Sequence, residues 1–237
     1  YRDWRPAGRW KSVYSASART EYEFGRDTRR DRVVLPSGNV VEYRYAKGLM
    51  PVAILEDSAP VAECAWEDIL GLKKYSDYKD GLDYEFVYAD GGIRFPRSVI
   101  LKSSAENMYR LTGIRSQCVE AYIAVDQVGS IRALSLRDGR MIKYLEYDAF
   151  GNVIADTRTS LRFPLGFAGG LNDFATGFVR FGFRDYDPQT GRFTAKDPAG
   201  DTGGDHDLWD YCVDDPVGRI DPLGLEDRST WDRFWAW

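Results

Sequence analysis

The stretch "IKYLEYDAFGNVIADT", residues 142–157, contains an alternating apolar run, aromatic residues, a turn with glycine and a second apolar run. Alternation with a period of two places one face of a strand towards a core. The glycine at position 151 allows the positive φ angle that a tight turn requires. The stretch therefore predicts a β-hairpin.

Similar stretches occur nearer the N-terminus: TEYEFGRDTRRDRVVL (20–35), VVEYRYAKGLMPVAIL (40–55), VAECAWEDILGLKKYS (61–76) and DYEFVYADGGIRFPRSVIL (83–101). The aromatic residues before their turns are Phe24, Tyr45, Trp66 and Tyr88, spaced 21, 21 and 22 residues apart. Tyr109 falls on the next step, although its surroundings fit a hairpin poorly. Residues 59–75 also carry features of a helix, but the repeat favours strands. Because one hairpin is marginally stable, we expect the hairpins to pack side by side.

The composition narrows the classes of function. The chain has 237 residues, a net charge of -5, 15 Tyr, 12 Phe, 7 Trp and 23 Gly, which favours strands joined by tight turns. The sequence contains no stripe of basic residues of the kind that binds nucleic acid. It also contains no apolar run of about 18 residues, which a membrane span would require. Three widely spaced cysteines indicate no disulfide framework. The opening "YRDWRPAGRW" shows no signal peptide, and we expect a piece of a longer protein.

Asp-Pro pairs crowd the last quarter of the sequence, at positions 187, 197, 215 and 221. Two of them belong to D-P-x-G units, DPAG (197–200) and DPLG (221–224). Proline restricts the preceding Asp to extended geometry, and glycine permits a sharp turn. Two carboxylates held close together can hydrolyse a peptide, one as base on water and the other as proton donor. Asp197 and Asp221 are therefore the candidate catalytic pair, whereas Asp187 and Asp215 are expected to be turn residues. The alternative is that all four are turns.

Six elements occur in a fixed order between residues 121 and 225: GSIR (129–132), YDAFGN (147–152), FAGG (167–170), TGFVRFGFRDYDPQTGRF (176–193), DPAG and DPLGL (221–225). In these elements the chain resembles the Rhs repeat-associated core. The hairpins before it are similar to the degenerate YD repeats of Rhs proteins and of the C components of ABC toxins.

This resemblance implies an all-β fold: a spiralling YD-repeat β-hairpin shell segment at residues 1–120, a C-terminal Rhs core plug with an autoprotease motif at 121–225, and the start of a variable C-terminal toxin segment at 226–237. It implies a single-turnover intramolecular aspartyl autoprotease that cuts between Leu225 and Glu226 and needs no cofactor or metal. The implied partners are the remaining shell, the chain's own toxin segment and secretion-system or toxin-complex components. Delivery would be to the cell surface or outside a bacterium.

The resemblance also singles out Arg184, whose counterpart in the family is implicated in cleavage. An arginine there could hold a carboxylate or stabilise an oxyanion with its planar fork of donors. The alternative is a structural ion pair with Asp185 or Asp187. Asp185 is a candidate for a supporting role.

Other features receive a structural interpretation. Asp201-Thr202-Gly203 and His206 lie in a Gly-rich loop without a nucleophile motif, so we expect turns there rather than a triad or a metal site. Two further functions remain open: a structural shell or cell-surface repeat protein without cleavage, and a carbohydrate-active or adhesive protein that uses aromatic platforms and paired acids.

Overall fold

The structure is a computed structural model that describes residues 2–4, 10–15, 18–25, 29–46, 48–67, 71–89, 95–198, 200, 207–225 and 228–229. Side chains are described within these ranges from residue 20 to residue 225. No helix in these ranges is long and apolar enough to span a membrane.

One antiparallel sheet contains fourteen strands of the described chain, and each strand pairs with its neighbours in sequence. The strands are β1 (Arg2–Trp4), β2 (Trp10–Ser15), β3 (Ala18–Phe24), β4 (Arg30–Val34), β5 (Val40–Tyr45), β6 (Pro51–Glu56), β7 (Ala59–Trp66), β8 (Leu72–Asp77), β9 (Leu82–Val87), β10 (Ser98–Lys102), β11 (Cys118–Val125), β12 (Ile131–Ser135), β13 (Met141–Tyr147) and β14 (Val153–Asp156). The all-β prediction is confirmed, and so is the choice of strands over a helix for residues 59–75.

The predicted hairpins correspond to β3–β4, β5–β6, β7–β8, β9–β10 and β13–β14. In four of these hairpins the strand register shifts at the repeated aromatic residue, namely at Phe24, Tyr45, Trp66 and Tyr147. Such a shift is typical of a β-bulge, which bends a strand and increases its twist. The repeated aromatic residues of these four hairpins therefore lie where the strand register shifts.

Alternation explains which face of the sheet is buried. In β9, Leu82, Tyr84 and Phe86 are buried, whereas Asp83 between them is exposed. The buried face packs against residues 161–178, including Phe163, whose ring lies edge-on to those of Tyr84 and Phe86 at 5.8 Å. The principal core thus lies between the large sheet and the segment that follows it.

A helix, α1 (Ala105–Thr112), interrupts the hairpins and contains Tyr109. The side chain of Ser104 accepts a hydrogen bond from the Asn107 amide at its start, and Gly113 ends it with a φ angle of 78°. These caps fix a helix at the step of the repeat where the sequence fits a hairpin poorly.

The C-terminal part forms short strands around a second core. A small sheet contains β15 (Leu171–Asn172), β16 (Val179–Phe181), β17 (Arg184–Asp187) and β18 (Arg192–Phe193), and β19 (Arg219–Ile220) pairs with β20 (Arg228–Ser229). Short 3-10 turns occupy Phe167–Gly169 and Cys212–Asp214. The rings of Phe181, Tyr186, Phe193 and Tyr211 pack together at centroid distances of 4.6 to 6.4 Å. The predicted boundary at residue 121 lies within β11, and the division into domains stays a prediction.

Candidate active site

The hairpin of β16 and β17 carries the arginine predicted to take part in cleavage. Phe181 pairs with Arg184 across the hairpin, and Gly182 and Phe183 form its turn. Every residue of both strands is buried. Because neighbouring residues of a strand point to opposite faces, Arg184 and Asp185 are directed to opposite sides of the hairpin.

Arg184 brings the two candidate carboxylates together. Its Nη2 lies 2.7 Å from Oδ2 of Asp197 and 3.1 Å from Oδ2 of Asp221. The two carboxylate oxygens therefore lie no farther apart than the sum of these distances, about 5.8 Å. The side chains of Arg184 and Asp221 are each 3 % exposed and that of Asp197 is 13 % exposed, so Asp197 is the more open of the two acids.

The other nitrogen atoms of the Arg184 guanidinium also form hydrogen bonds. Its Nε donates to the Gly224 carbonyl at 2.5 Å, and its Nη1 donates to the Leu208 carbonyl at 3.2 Å. The guanidinium lies 3.6 Å from the centre of the Phe193 ring, a cation–π contact. Burial lowers the pKa of the Arg184 guanidinium, and the charges of Asp197 and Asp221 oppose that effect. The guanidinium is thus fixed between the two acids and the DPLGL segment.

The DPLGL segment lies directly against the hairpin. The Phe183 amide donates to the Leu223 carbonyl at 2.8 Å. A Cβ atom on Gly182 would lie 2.6 Å from the Leu223 oxygen, and one on Gly224 would lie 2.9 Å from the Phe181 oxygen. Glycine at both positions therefore permits the close approach of the two backbones.

The same segment positions the predicted cleavage site. The Leu225 amide donates to Oδ1 of Asp221 at 2.9 Å, so this carboxylate contacts both Arg184 and Leu225. Leu225 lies in the connection between β19 and β20, which pair with each other on either side of it. Glu226 lies outside the described residues.

Asp185 belongs to a different set of contacts. Its Oδ2 lies 3.6 Å from Nε of Arg30 and 3.5 Å from Nη1 of Arg180. The structure therefore does not bring Asp185 to the cluster of Asp197, Arg184 and Asp221, and its supporting role stays a prediction. The ion pairs described for Arg184 are with Asp197 and Asp221, in place of the predicted alternative with Asp185 or Asp187.

Two other Asp-Pro pairs have the local contacts of turns. Asp187 accepts hydrogen bonds from the Gln189 amide at 3.0 Å and from the Thr190 hydroxyl at 3.0 Å. Asp215 accepts one from the Gly218 amide at 2.9 Å. Asp187 is the last residue of β17 and Asp215 precedes an exposed turn, so the contacts of both residues agree with the prediction that each begins a turn.

Several features of the sequence cannot be placed. Asp201-Thr202-Gly203, Asp205, His206 and the tryptophan-rich end at 231–237 lie outside the described residues. Within the ranges given above, no group of three or more His, Cys, Asp or Glu side chains is arranged to hold a metal ion. Asp207, next to the Gly-rich loop, pairs with Arg192 at 2.7 Å.

Sequence reasoning missed the neutral parts of the site. Leu208 contributes only a carbonyl oxygen, and Phe193 only a ring face. The glycine between two phenylalanines in "FGF" was the available indication of a close backbone approach at Gly182.

A meander of bulged hairpins followed by a small core around the DPLGL segment places the chain in the YD-shell class of all-β proteins. The comparisons with known proteins agree. The model of the Teneurin YD-shell family matches residues 110–203. The chain is thus similar to Rhs/YD-repeat proteins over this part of its length, and it shares the all-β fold of their shell.

Curated relatives match parts of the chain. Teneurin-3 of Danio rerio is 33% identical over 141 residues, 55% of this chain and 5% of the relative, and Teneurin-4 of Homo sapiens is 38% identical over 92 residues, 39% and 3%. The double-stranded DNA deaminase toxin A of Burkholderia cenocepacia (strain H111) is 39% identical over 104 residues, 42% of this chain and 7% of the toxin. The chain thus spans a small fraction of each relative's length.

Solved structures cover most of the chain. The crystal structure of TcdB2-TccC3 matches with a TM-score of 0.57 at 19% identity, over 94% of this chain and 10% of that one. The Tc holotoxin pore of Photorhabdus luminescens matches with a TM-score of 0.56 at 20% identity over the same shares. At these identities the likeness establishes the fold.

Proposed function

We propose that the chain is part of a toxin-encapsulating YD-repeat shell whose core cleaves its own backbone after Leu225 and so releases a C-terminal segment. The observation that carries this proposal is the arrangement of Asp197, Arg184 and Asp221 against the DPLGL segment. Since Asp221 accepts from the Leu225 amide, one of the two acids already contacts the residue whose carbonyl would be attacked.

The two acids differ in a way that suits two roles. Asp197, the more exposed acid, takes a proton from water as the water oxygen bonds to the Leu225 carbonyl carbon. Asp221 donates to the carbonyl oxygen the single proton that the pair of acids shares, because two carboxyl groups held close together do not both ionise. As the C–N bond breaks, the proton taken from water passes from Asp197 to the nitrogen of Glu226. One hydroxyl of the tetrahedral intermediate returns its proton to Asp221 as the new carboxyl group forms.

Arg184 and the glycines hold the substrate in place. The Gly224 carbonyl accepts from Arg184, and the Leu223 carbonyl accepts from the Phe183 amide. These contacts fix the peptide groups before the cleaved bond, which converts hydrolysis into an intramolecular step. Arg184 also compensates the negative charge that the pair of acids carries, and its planar fork satisfies several acceptors at once.

The whole protein's partners and location follow from the same proposal. A relative is named a deaminase toxin, and the structural neighbours belong to the TcdB2-TccC3 and Tc holotoxin assemblies. We therefore expect the remaining shell, the chain's own C-terminal toxin and toxin-complex or secretion-system components as partners. We expect delivery outside the producing bacterium or at its surface.

The test compares Asp197→Asn and Asp221→Asn with the unaltered chain and with Asp215→Asn, a matched Asp-Pro control at an exposed turn. Intact mass spectrometry should find the unaltered chain and Asp215→Asn cut after Leu225, with a new N-terminus at Glu226. Each site variant should stay uncut, because one proton-transfer group is lost. A folded unaltered chain that remains whole contradicts self-cleavage, as does cutting in both site variants.

A second candidate is a closure of the shell without cleavage. It is favoured by the number of contacts at Arg184, which pairs with two acids and donates to two carbonyl groups. In that case Asp197→Asn would lower the urea midpoint of unfolding while every chain kept its full mass.

A further inference from the structure

A buried arginine on the large sheet contacts the hairpin of β16 and β17 on the face opposite to Arg184. Arg30, in β4, is 2 % exposed. Its guanidinium contacts the carboxylate of Asp173, which lies 143 residues later in the chain, and its Nε is 3.6 Å from Oδ2 of Asp185. Arg30 thus joins the sheet to two acids of the C-terminal core.

The contacts around Arg30 come from both parts of the molecule. Tyr43 of β5 donates its hydroxyl to Oδ2 of Asp173 at 2.6 Å, and its ring lies 4.5 Å from the Arg30 guanidinium. Thr176 donates to the same Asp173 oxygen at 2.7 Å. The guanidinium is therefore enclosed by an acid and a hydroxyl of the core on one side and by the sheet on the other.

A second arginine ties the hairpin itself to the sheet. Arg180 pairs directly with Asp185 across β16 and β17, and its Nη1 lies 3.5 Å from Asp185 Oδ2. Its Nη2 donates to the Leu49 carbonyl, between β5 and β6, at 3.0 Å. Asp185 is thus flanked by one arginine of the sheet and one of the hairpin.

The hairpin transmits this attachment to the site. Asp185 and Arg184 are consecutive residues of β17, with one directed to the sheet and the other to Asp197 and Asp221. A displacement of Asp185 therefore moves the backbone that carries Arg184. Without Arg30, the buried Asp185 carboxylate keeps Arg180 but loses one of its two flanking cations, and this loss makes its buried position less stable. The hairpin therefore occupies its position most favourably when Arg30 is present.

We propose that Arg30 is a positioning residue for cleavage, so that the chain is cut only after the large sheet has closed against the core. This coupling between closure of the sheet and cleavage of the chain rests on the proposed self-cleavage. It deepens that function by making completion of the sheet a condition for release of the C-terminal segment.

The test follows cleavage during cell-free synthesis of the chain, with the folded fraction measured in parallel by resistance to added protease. Arg30→Met removes the charge at similar volume, and Arg30→Lys keeps it. Met108→Ala, which empties a buried position in α1, is the matched control for lost stability away from the site. We expect Arg30→Met to cut at least tenfold more slowly per folded molecule, Arg30→Lys to recover part of the rate, and Met108→Ala to cut at the unaltered rate.

Each remaining outcome is decisive. Cutting of folded Arg30→Met at the unaltered rate overturns the coupling alone, and so does an equal slowing in Met108→Ala, since the effect would then reflect stability. If Arg30→Met fails to fold, Asp173→Asn, which weakens the hold on Arg30 and leaves Asp185 its cations, should show a smaller slowing, and an unaltered rate there overturns the coupling. An uncut but folded unaltered chain overturns the self-cleavage on which the coupling rests.

Discussion

The large sheet and the small C-terminal core are stabilised in different ways. In the sheet, consecutive strands pair and one face alternates between buried and exposed residues, as in β9. In the core, several strands have two residues, and buried charges such as Arg184, Asp185 and Asp221 lie beside an aromatic cluster. The sheet repeats one local pattern, whereas each contact of the core is made once.

This difference in stabilisation indicates which part of the molecule tolerates amino-acid substitutions. Burial of apolar surface is non-directional, so the sheet distributes its stability over many similar contacts. Charged hydrogen bonds and close backbone approaches depend on single atoms, and removing one partner leaves the other buried and unsatisfied. We therefore expect substitutions in the core to cost more than matched substitutions in the sheet.

The largest expected contrast is between two glycines with positive φ angles. Gly182 has a φ of 33°, and an added Cβ would lie 2.6 Å from the Leu223 carbonyl oxygen. Gly38, in the turn between β4 and β5, has a φ of 90° and nothing within 4 Å of such an atom. We expect Gly182→Ala to lower the free energy of unfolding by about 2–4 kcal/mol, from backbone strain and overpacking together.

Gly38→Ala supplies the control, because it carries the strain without the clash. It should cost about 1 kcal/mol by urea unfolding. Gly182→Ala should also slow the proposed self-cleavage, since the Leu223 carbonyl must move away from the hairpin. Equal losses in the two variants would contradict the contrast between the sheet and the core.

The sequence predicts the sheet well because its information is local. Alternation and turn glycines specify the hairpins, and the aromatic repeat coincides with the bulges at Phe24, Tyr45, Trp66 and Tyr147. The helix α1 was not predicted, although Ser104 and Gly113 carried the usual signs of its two ends. At this step of the repeat, the capping residues Ser104 and Gly113 determine the local structure more strongly than the 21-residue spacing of the aromatic residues.

The sequence predicts the contacts of the core only for residues that belong to a recognisable motif. Asp197 and Asp221 stand in two D-P-x-G units, and the structure places both on Arg184. The pairing of Asp185 with Arg30 joins distant parts of the chain and leaves no local pattern. The Leu208 carbonyl is a backbone atom, so the identity of its side chain could not reveal its contact with Arg184.

An intermediate effect is expected where the core covers the sheet. Burial, with a smaller contribution from Asp185, raises the pKa of Tyr45 to about 12 from its ordinary value of 10.0, although Arg180 and Arg30 oppose the rise. The unfolded chain therefore releases this proton first, so the stabilising contribution is complete below pH 10 and is lost as the pH rises towards 12. Between pH 10 and pH 12 the free energy of unfolding falls as the pH rises. In Tyr45→Phe this fall should be less steep than in the unaltered chain, by about 1.4 kcal/mol per pH unit.

Urea titrations at several pH values between 10 and 12 measure that slope. Tyr22, whose pKa burial also raises to about 12, should give a similar change as Tyr22→Phe. An identical slope in the unaltered chain and in both variants would show that these tyrosines of the sheet are not covered by the core as described.

The smallest expected effect has the opposite sign and concerns left-handed backbone. Turns of the sheet mostly place glycine at such positions, as at Gly139 with a φ of 85°, whereas the core has Val213 with a φ of 52° and a ψ of 45°. The left-handed conformation destabilises a residue with a Cβ by about 1–2 kcal/mol. Glycine avoids this strain, but its greater entropy in the unfolded chain offsets part of the gain. Because the Val213 side chain is half exposed, Val213→Gly should raise the free energy of unfolding by about 0.5–1 kcal/mol. Gly139→Ala should lower the free energy of unfolding by a similar amount. Thermal unfolding of the two variants, measured side by side, tests this difference. A loss of stability in both variants would contradict backbone strain at Val213.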